Sequence, residues 1–337
     1  MADSTLPSFI QALLKPEVYP HPAPEITLVQ THISYVLLAG DFVYKIKKPV
    51  DFGFLNFTTL EKRKHFCEEE LVLNRRLCPS LYLGLVGITE QSGGITLDGP
   101  GTPVEYAVKM ARMPEERMMA KVIAQGGLNK ETLDRIISIL VPFYAKAESS
   151  PAIEKFGTAQ AVSVNVLENF EQTQGFIGCA ALSREQFEVI NDYARAFLGN
   201  EELFAKRIKT GRIRDCHGDL YSANICLADE IYIYDCIEFN QRFRYCDVAS
   251  DVAFLAMDLD FHGLPELSDY FIEKFCQEAG DTTLLPMLNF YKCYRAYVRG
   301  KIGLFTAHAP EVDPATTENC LALAKKYFAL AERYAAA

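Results

Sequence analysis

No stretch of this 337-residue chain approaches the ~18 consecutive apolar residues that suggest a membrane span. The opening Met1-Ala-Asp-Ser-Thr-Leu-Pro has neither a basic cluster nor a continuous apolar run. The expectation is a cytoplasmic protein with no membrane partner. Positive charge is in deficit, since 34 Lys and Arg against 44 Asp and Glu leave a formal charge of -10. That balance argues against a nucleic-acid partner held by phosphate contacts, and an acidic surface suits a cationic small molecule. No Gly-x-x-x-x-Gly-Lys-Ser/Thr phosphate loop occurs. Cys216, Cys226, Cys236 and Cys246 recur every ten residues, without the pairs two to four apart that zinc sites use. The ten cysteines are therefore read as reduced, mostly buried small side chains. Internal repeats are absent, and low complexity is confined to the tail Ala335–Ala337.

What is present suffices for a full core. Hydrophobic residues make up 49% of the chain, which at this length suits one bilobal unit or two domains. Alternating apolar runs at 27–29, 33–38, 42–47, 82–88, 94–97 and 104–110 predict a mainly antiparallel sheet. It is interrupted by a helix over 61–77, where Gly and Pro are missing and Phe66, Leu73 and Leu77 are spaced by seven and four. Beyond Pro114 the pattern predicts helices over 131–148, 183–198, 201–209, 247–259 and 267–278, then two long ones after Leu285, with a strand pair near 225–227 and 231–234. This places an N-terminal part at 1–113 and a C-terminal part at 114–337.

The chemistry-bearing feature is Asp215-Cys-His-Gly-Asp-Leu-Tyr-Ser-Ala-Asn224, followed by Asp235 at the end of the apolar run from Ile231. With four residues between them, Asp219 can face an acceptor hydroxyl while the amide oxygen of Asn224 holds a metal ion, and Asp235 supplies a second metal-binding oxygen. Taken alone, the same loop reads as a helix-capping turn with His217 as a core histidine.

Three further features lie around it in sequence. After the turn pair Gly40-Asp41, strand alternation puts Val43, Lys45 and Lys47 on one face and Phe42, Tyr44 and Ile46 on the other. Lys45 has an apolar residue two positions upstream, as an adenine pocket beside a phosphate-binding lysine requires, and is chosen over Lys47. On the 61–77 helix, Glu70 falls nearer the apolar stripe than Glu68 or Glu69. An inward carboxylate needs a partner, and Lys45 is the natural one. On the helix that follows the loop, Asp247, Asp251 and Asp258 share a face, with Asp247 at the N-cap.

Lysine strand, glutamate helix, His-Gly-Asp-x-x-x-x-Asn loop, strand aspartate and Asp-rich helix occur in the order of a protein-kinase-like fold. With Gly218 where protein kinases carry Arg, the chain resembles the aminoglycoside phosphotransferase-like kinases over roughly residues 25 to 305. The stretches from Val43 to Phe57 and from Glu238 to Asp247 look like a little-characterised bacterial branch of that family, often fused to a C-terminal P-loop ATPase domain. The missing phosphate-loop motif means that this domain is absent here, and a separate P-loop ATPase becomes a possible partner. The resemblance implies an α+β, bilobal, protein-kinase-like fold with a β-rich N-lobe and a mainly helical C-lobe. It implies ATP and Mg2+ as cofactors and transfer of the γ-phosphoryl group to a hydroxyl of a small molecule.

In that reading Asp219, His217 and Asn224 are catalytic. Lys45, Glu70, Thr31, Ser34, Met110 and Met113 bind nucleotide, and Asn224 and Asp235 hold the metal. Asp247 and Asp251 brace the loop from behind. Glu238, Asn240, Arg242 and Arg295 line the acceptor, with Tyr294 and Arg299 beside Arg295 on a late helix. One departure is the turn Gln30-Thr-His-Ile-Ser34, which lacks the Gly-x-Gly-x-x-Gly of protein kinases and leaves the hydroxyls of Thr31 and Ser34 to position phosphate. The main alternative is a catalytically weak module that senses ATP or engages a partner. A protein-phosphorylating enzyme is disfavoured, because Asp235 is followed by Cys-Ile-Glu. A metallohydrolase built on His217, Asp219, Asp235 and His262 is the remaining alternative.

Overall fold

The computed structural model describes residues 6–91, 94–309 and 312–337. Its first part contains helix α1 (Ser8–Leu13), strands β1 (Ile26–Gln30), β2 (Ser34–Ala39) and β3 (Phe42–Lys47), helix α2 (Leu60–Asn74), and strands β4 (Tyr82–Gln91), β5 (Gly94–Leu97) and β6 (Pro103–Ala111). There follow α3 (Met119–Ala124), α4 (Lys130–Lys146), α5 (Pro151–Glu154), α6 (Ala159–Thr173), α7 (Arg184–Leu198), α8 (Glu201–Lys209), β7 (Ile213–Asp215), β8 (Ile225–Leu227) and β9 (Ile231–Ile233). Last come α9 (Gln241–Arg244), β10 (Tyr245–Asp247), α10 (Val248–Phe261), α11 (Pro265–Ala279), α12 (Leu285–Ala307) and α13 (Pro314–Ala335). Two compact units result, Met1–Met118 with Ile225–Gln241, and Met119–Asn224 with Arg242–Ala337. The sequence-based division at 113/114 keeps 225–241 with the C-terminal part, whereas the β8–β9 hairpin groups with the first unit.

The first unit is built on one antiparallel sheet of strand order β1-β2-β3-β6-β4-β5. Period-two alternation along β3 serves two cores. Tyr44 and Ile46 turn toward Ile10 and Leu13 of α1 and toward Tyr19, while Val43 turns toward Val108, Met110, Cys67, Leu71, Tyr232 and Tyr234. Each fully buried side chain of this kind contributes roughly 1.5–3 kcal/mol. The β2–β3 turn depends on Gly40, whose φ of 58° is left-handed and whose Cβ, if present, would meet the Pro22 carbonyl oxygen at 2.3 Å.

Helix α2 starts at Thr59, whose side chain accepts the Lys62 N–H. Its inward face differs from the expected Phe66–Leu73–Leu77 stripe. The buried residues are Arg63, Cys67, Glu70, Leu71, Leu73 and Asn74, and Phe66 is only half-buried. Buried polar groups need partners. Arg63 finds Glu105 of β6 at 2.8 Å, and Asn74 reaches the Glu70 carbonyl at 2.8 Å.

The second unit is mainly helical. Its axis is α10, where Val248 through Leu259 are all buried, packed against α11 and α12. Asp247, Asp251 and Asp258, expected on one face, all lie inside at 1%, 0% and 2% exposure, so they are internal ligands of the chain and not a solvated stripe. The short antiparallel ladder of β7 with β10 holds Asp215 opposite Tyr245 and delivers the chain to His217.

Candidate active site

In the first unit, Lys45, Glu70 and Asp235 meet. Lys45 Nζ stands 2.9 Å from Glu70 Oε1 and 2.5 Å from Asp235 Oδ1. The lysine comes from central strand β3, where it lies opposite Val36 of β2 and Val108 of β6, and the glutamate from the inward face of α2. Burial pushes the Lys45 ammonium toward its neutral form, but Asp235 and Glu70 outweigh it and hold the pKa well above the ordinary lysine value.

Lys47, set aside by the sequence reading, enters the same network. It is 1% exposed, donates to Glu70 Oε2 at 2.7 Å, and is ion-paired with Glu238. Its ammonium also lies 4.9 Å from the centre of the Phe57 ring. Burial raises the Glu70 carboxyl, yet the two ammonium groups win and bring it from 4.5 to about 2. Glu238 goes the other way: burial raises it, and the charge of Glu70 adds to that. Glu238, expected at the acceptor, is thus enclosed with Lys47 at 7% exposure.

Asp235 has a φ of 63°, a left-handed conformation rare for a residue with a Cβ and a mark of functional sites. The surrounding bonds over-determine it. Tyr82 Oη accepts the Asp235 N–H at 3.3 Å, and Asn74 Oδ1 accepts the Cys236 N–H at 2.9 Å. Helix α2 therefore supplies the partner of Lys45 and, one turn on, the brace of the Asp235 turn. The two stretches singled out by resemblance also meet here. Phe54 and Phe57 lie against Phe239, with ring centres 6.0 and 6.5 Å apart, and Asn240 donates to the Phe54 carbonyl at 2.9 Å.

Of the other expected nucleotide residues, Met110 on β6 lies opposite Val43 and Tyr82, and Met113 packs on the same cluster. Thr31 Oγ1 closes its own turn by accepting the Ser34 N–H at 2.9 Å and the Ile33 N–H at 3.3 Å. Ser34 is 1% exposed, with no hydrogen bond to its hydroxyl.

In the second unit the His-Gly-Asp loop is held by Asp251. One carboxylate oxygen accepts the His217 N–H at 2.7 Å and the Tyr144 hydroxyl at 3.1 Å, and the other accepts the Gly218 N–H at 2.9 Å. Gly218 has a φ of 89° that a side chain would strain. Arg295 closes the other side, donating to the Gly218 carbonyl at 2.9 Å and standing 3.6 Å from Asp251. His217 Nδ1 accepts the Asp219 N–H at 3.2 Å, which puts the ring proton on Nε2.

Asn224 Nδ2 donates to the Asp219 carbonyl and to Asp219 Oδ2, both at 2.9 Å. The amide is thereby oriented so that its oxygen, the atom a metal would take, faces away from Asp219. Between these residues, Ser222 N–H is accepted by buried Asp258 at 2.9 Å. Asp247 caps α10 through the Ala249 N–H and binds Arg207, which also grips Asp281 at 2.6 Å. Arg242 pairs with Glu168. The sequence reading missed Lys47, Asn74 and Arg207, whose partners lie between 40 and 191 residues away for Arg207–Asp247, Asn74–Cys236 and Lys47–Glu238.

No protein-family model matches the chain. Three uncharacterized proteins, of Mycobacterium tuberculosis and Mycobacterium bovis, are each 36% identical over 281 residues, 83% of this chain and 55% of theirs. The chain thus spans about half the length of the curated relatives it matches. Among solved structures, a choline/ethanolamine kinase family protein from Mesorhizobium loti aligns with a TM-score of 0.56 at 12% identity, covering 97% of both chains. The amicoumacin kinase hAmiN with AMP-PNP and Ca2+ gives 0.56 at 11% identity over 96% of this chain and 94% of its own. The GDP and kanamycin complex of APH(2'')-IIia gives 0.54 at 15% identity over 95% and 99%. The chain therefore has the aminoglycoside phosphotransferase-like kinase fold, which choline kinase-like proteins share.

Proposed function

We propose that the protein is an ATP-dependent phosphotransferase whose acceptor is a hydroxyl of a small molecule. The observation that carries this reading is the Lys45–Glu70–Asp235 constellation, with Asp235 held in a left-handed backbone conformation. Lys45 would bind the α- and β-phosphates, with Glu70 fixing its ammonium. By the kinase resemblance, Asp235 and Asn224 would each offer a hard oxygen to a magnesium ion, which would supply charge neutralisation for the nucleotide's phosphates. Asp219 would orient the acceptor hydroxyl and take its proton. The acceptor oxygen forms a bond to the γ-phosphorus as the bond to the β,γ-bridging oxygen breaks. Positioning and charge neutralisation then supply most of the acceleration. The solved neighbours support the reading, since they include a choline/ethanolamine kinase family protein and an amicoumacin kinase.

The test is the melting temperature under MgATP titration, because a ligand that binds only the native state raises apparent stability. A saturable, magnesium-enhanced rise that disappears in Asp235→Asn supports the site, and no rise at millimolar MgATP refutes it. A second reading, an ATP-binding module without transfer, draws on the glycine-free turn whose Thr31 hydroxyl is engaged by its own backbone. ADP formation strictly dependent on an added acceptor would exclude it. A P-loop ATPase partner, implied by the resemblance, belongs to the same proposal, and co-elution of such a chain with this one tests it.

A further inference from the structure

In the second unit, two arginines are coupled to Asp219. On α12, Arg295 and Arg299 are one turn apart. Arg295 is fully committed, to the Gly218 and Ser250 carbonyls and to Asp251. Arg299 is not. Its guanidinium lies 4.8 Å from the ring centre of Tyr221, two residues after Asp219, and 5.7 Å from that of Tyr327. Its Nε is buried without a hydrogen-bond acceptor, and among the described residues it forms no ion pair. Aromatic faces and a tyrosine hydroxyl compensate a desolvated guanidinium only in part. Asp219 is the carboxylate that acts on it, and acts on Arg295 as well.

Two residues further along α12 stands another cation. Lys301 donates to Gln172 Oε1 at 2.8 Å, and burial pulls its pKa down to about 8 against the opposing pull of Glu168. Glu168 is already paired with Arg242. Glu168 thus serves both Arg242 and Lys301, and Asp219 is the carboxylate coupled to Arg299. A cationic acceptor presented to Asp219 would meet the charge of Arg299, although the chain as a whole carries a formal charge of -10.

From this arrangement we propose that the acceptor is an anionic hydroxyl compound, bearing a phosphate or carboxylate group that Arg299 receives while Asp219 takes the hydroxyl proton. The proposal rests on the phosphotransferase reading for the proton step, and its binding half stands alone. It also departs from the cationic acceptor that the overall charge suggests.

The experiment uses the full chain and charge-matched probes: glycerol 3-phosphate, glycerol and choline, and glucuronate, glucose and glucosamine. Each is titrated alone and with MgATP, reading melting temperature and ADP release. The expected result is a saturable rise with the anionic members only, weakened roughly tenfold or more in Arg299→Gln, partly kept in Arg299→Lys, with the MgATP response unchanged in both. Selectivity in the unmodified protein decides the matter even where a variant folds poorly. Preference for choline or glucosamine overturns the proposal. So does anion binding that Arg299→Gln leaves intact, or MgATP binding with no response to either anion. Anion binding without any MgATP response sinks the phosphotransferase reading and leaves the anion site standing.

Discussion

Replacing Lys47 by Met should be among the most destabilising changes in the first unit, although Lys47 is not the lysine assigned to phosphate. Its ammonium is 1% exposed, bonded to Glu70 Oε2 at 2.7 Å and paired with Glu238. Two lysines here balance three carboxylates, Glu70, Asp235 and Glu238. Removing Lys47 leaves Glu70 with Lys45 but strips Glu238, itself 7% exposed, of its ion-pair partner. Breaking one side of a buried pair costs about 3–5 kcal/mol. Glu238→Gln alone should cost less, about 1–2 kcal/mol, because Lys47 keeps Glu70.

The double variant Lys47→Met/Glu238→Gln removes the stranded charge, so its cost should fall short of the sum of the singles by about 1–3 kcal/mol. Urea denaturation of the four proteins gives the cycle, with constant m-values as the check on two-state behaviour. MgATP titration separates the two lysines: Lys47→Met should keep a response and Lys45→Met should lose it. If Lys47→Met costs under about 1 kcal/mol, or if the two singles add without coupling, the buried-pair account is wrong. Should Lys47→Met abolish the MgATP response while Lys45→Met spares it, the phosphate lysine has been misassigned.

Three other outcomes follow from the same geometry. Asp219→Ala should abolish acceptor-dependent ADP formation while leaving the MgATP-induced rise in melting temperature nearly intact; equal turnover by the variant would remove Asp219 from the chemistry. Asp251→Asn should cost about 2–3 kcal/mol, because a single amide oxygen must replace two carboxylate oxygens that accept buried N–H groups of His217 and Gly218, and unchanged urea midpoints would refute this. Glu70 lies at about 2 in the folded chain against an ordinary 4.5, so its stabilisation is complete above pH 4.5 and is lost as pH falls toward 2. That contribution is at most about 3 kcal/mol. Glu238 is raised, which gives stability below its ordinary range that fades as pH rises through its folded value. Melting curves across pH 2 to 7 should therefore be flatter at the acid end for Glu70→Gln than for the unmodified chain, and superimposable profiles would contradict the assignment.

The six strands of the large sheet were legible because each has a solvent- or core-facing alternation that a short window captures. Helix α6 was not, because Val162, Val164 and Val166 alternate as a strand would, while the chain in fact buries Val162, Val166, Asn169, Phe170 and Thr173 and leaves Val164 52% exposed. Strands β7 and β10 are three residues each, too short to show any period. At the candidate site the limit is different in kind. Periodicity finds apolar faces, so it placed Glu70 inward for a stripe that is not the buried one. The face that is buried carries Arg63, Glu70 and Asn74, each satisfied by a distant partner.

Lys45 and Lys47 share a strand face and were separable only by an adenine-pocket criterion. Neither residue's sequence neighbourhood reveals that Glu238 waits 191 positions on to take the second one. A buried lysine is indistinguishable from an exposed one until its carboxylate is located. What alternation could have said, and what the geometry makes plain, is that two lysines on one face of a central strand cannot both be solvated when a helix covers that face. At least two carboxylates must come with them, and the chain brings three.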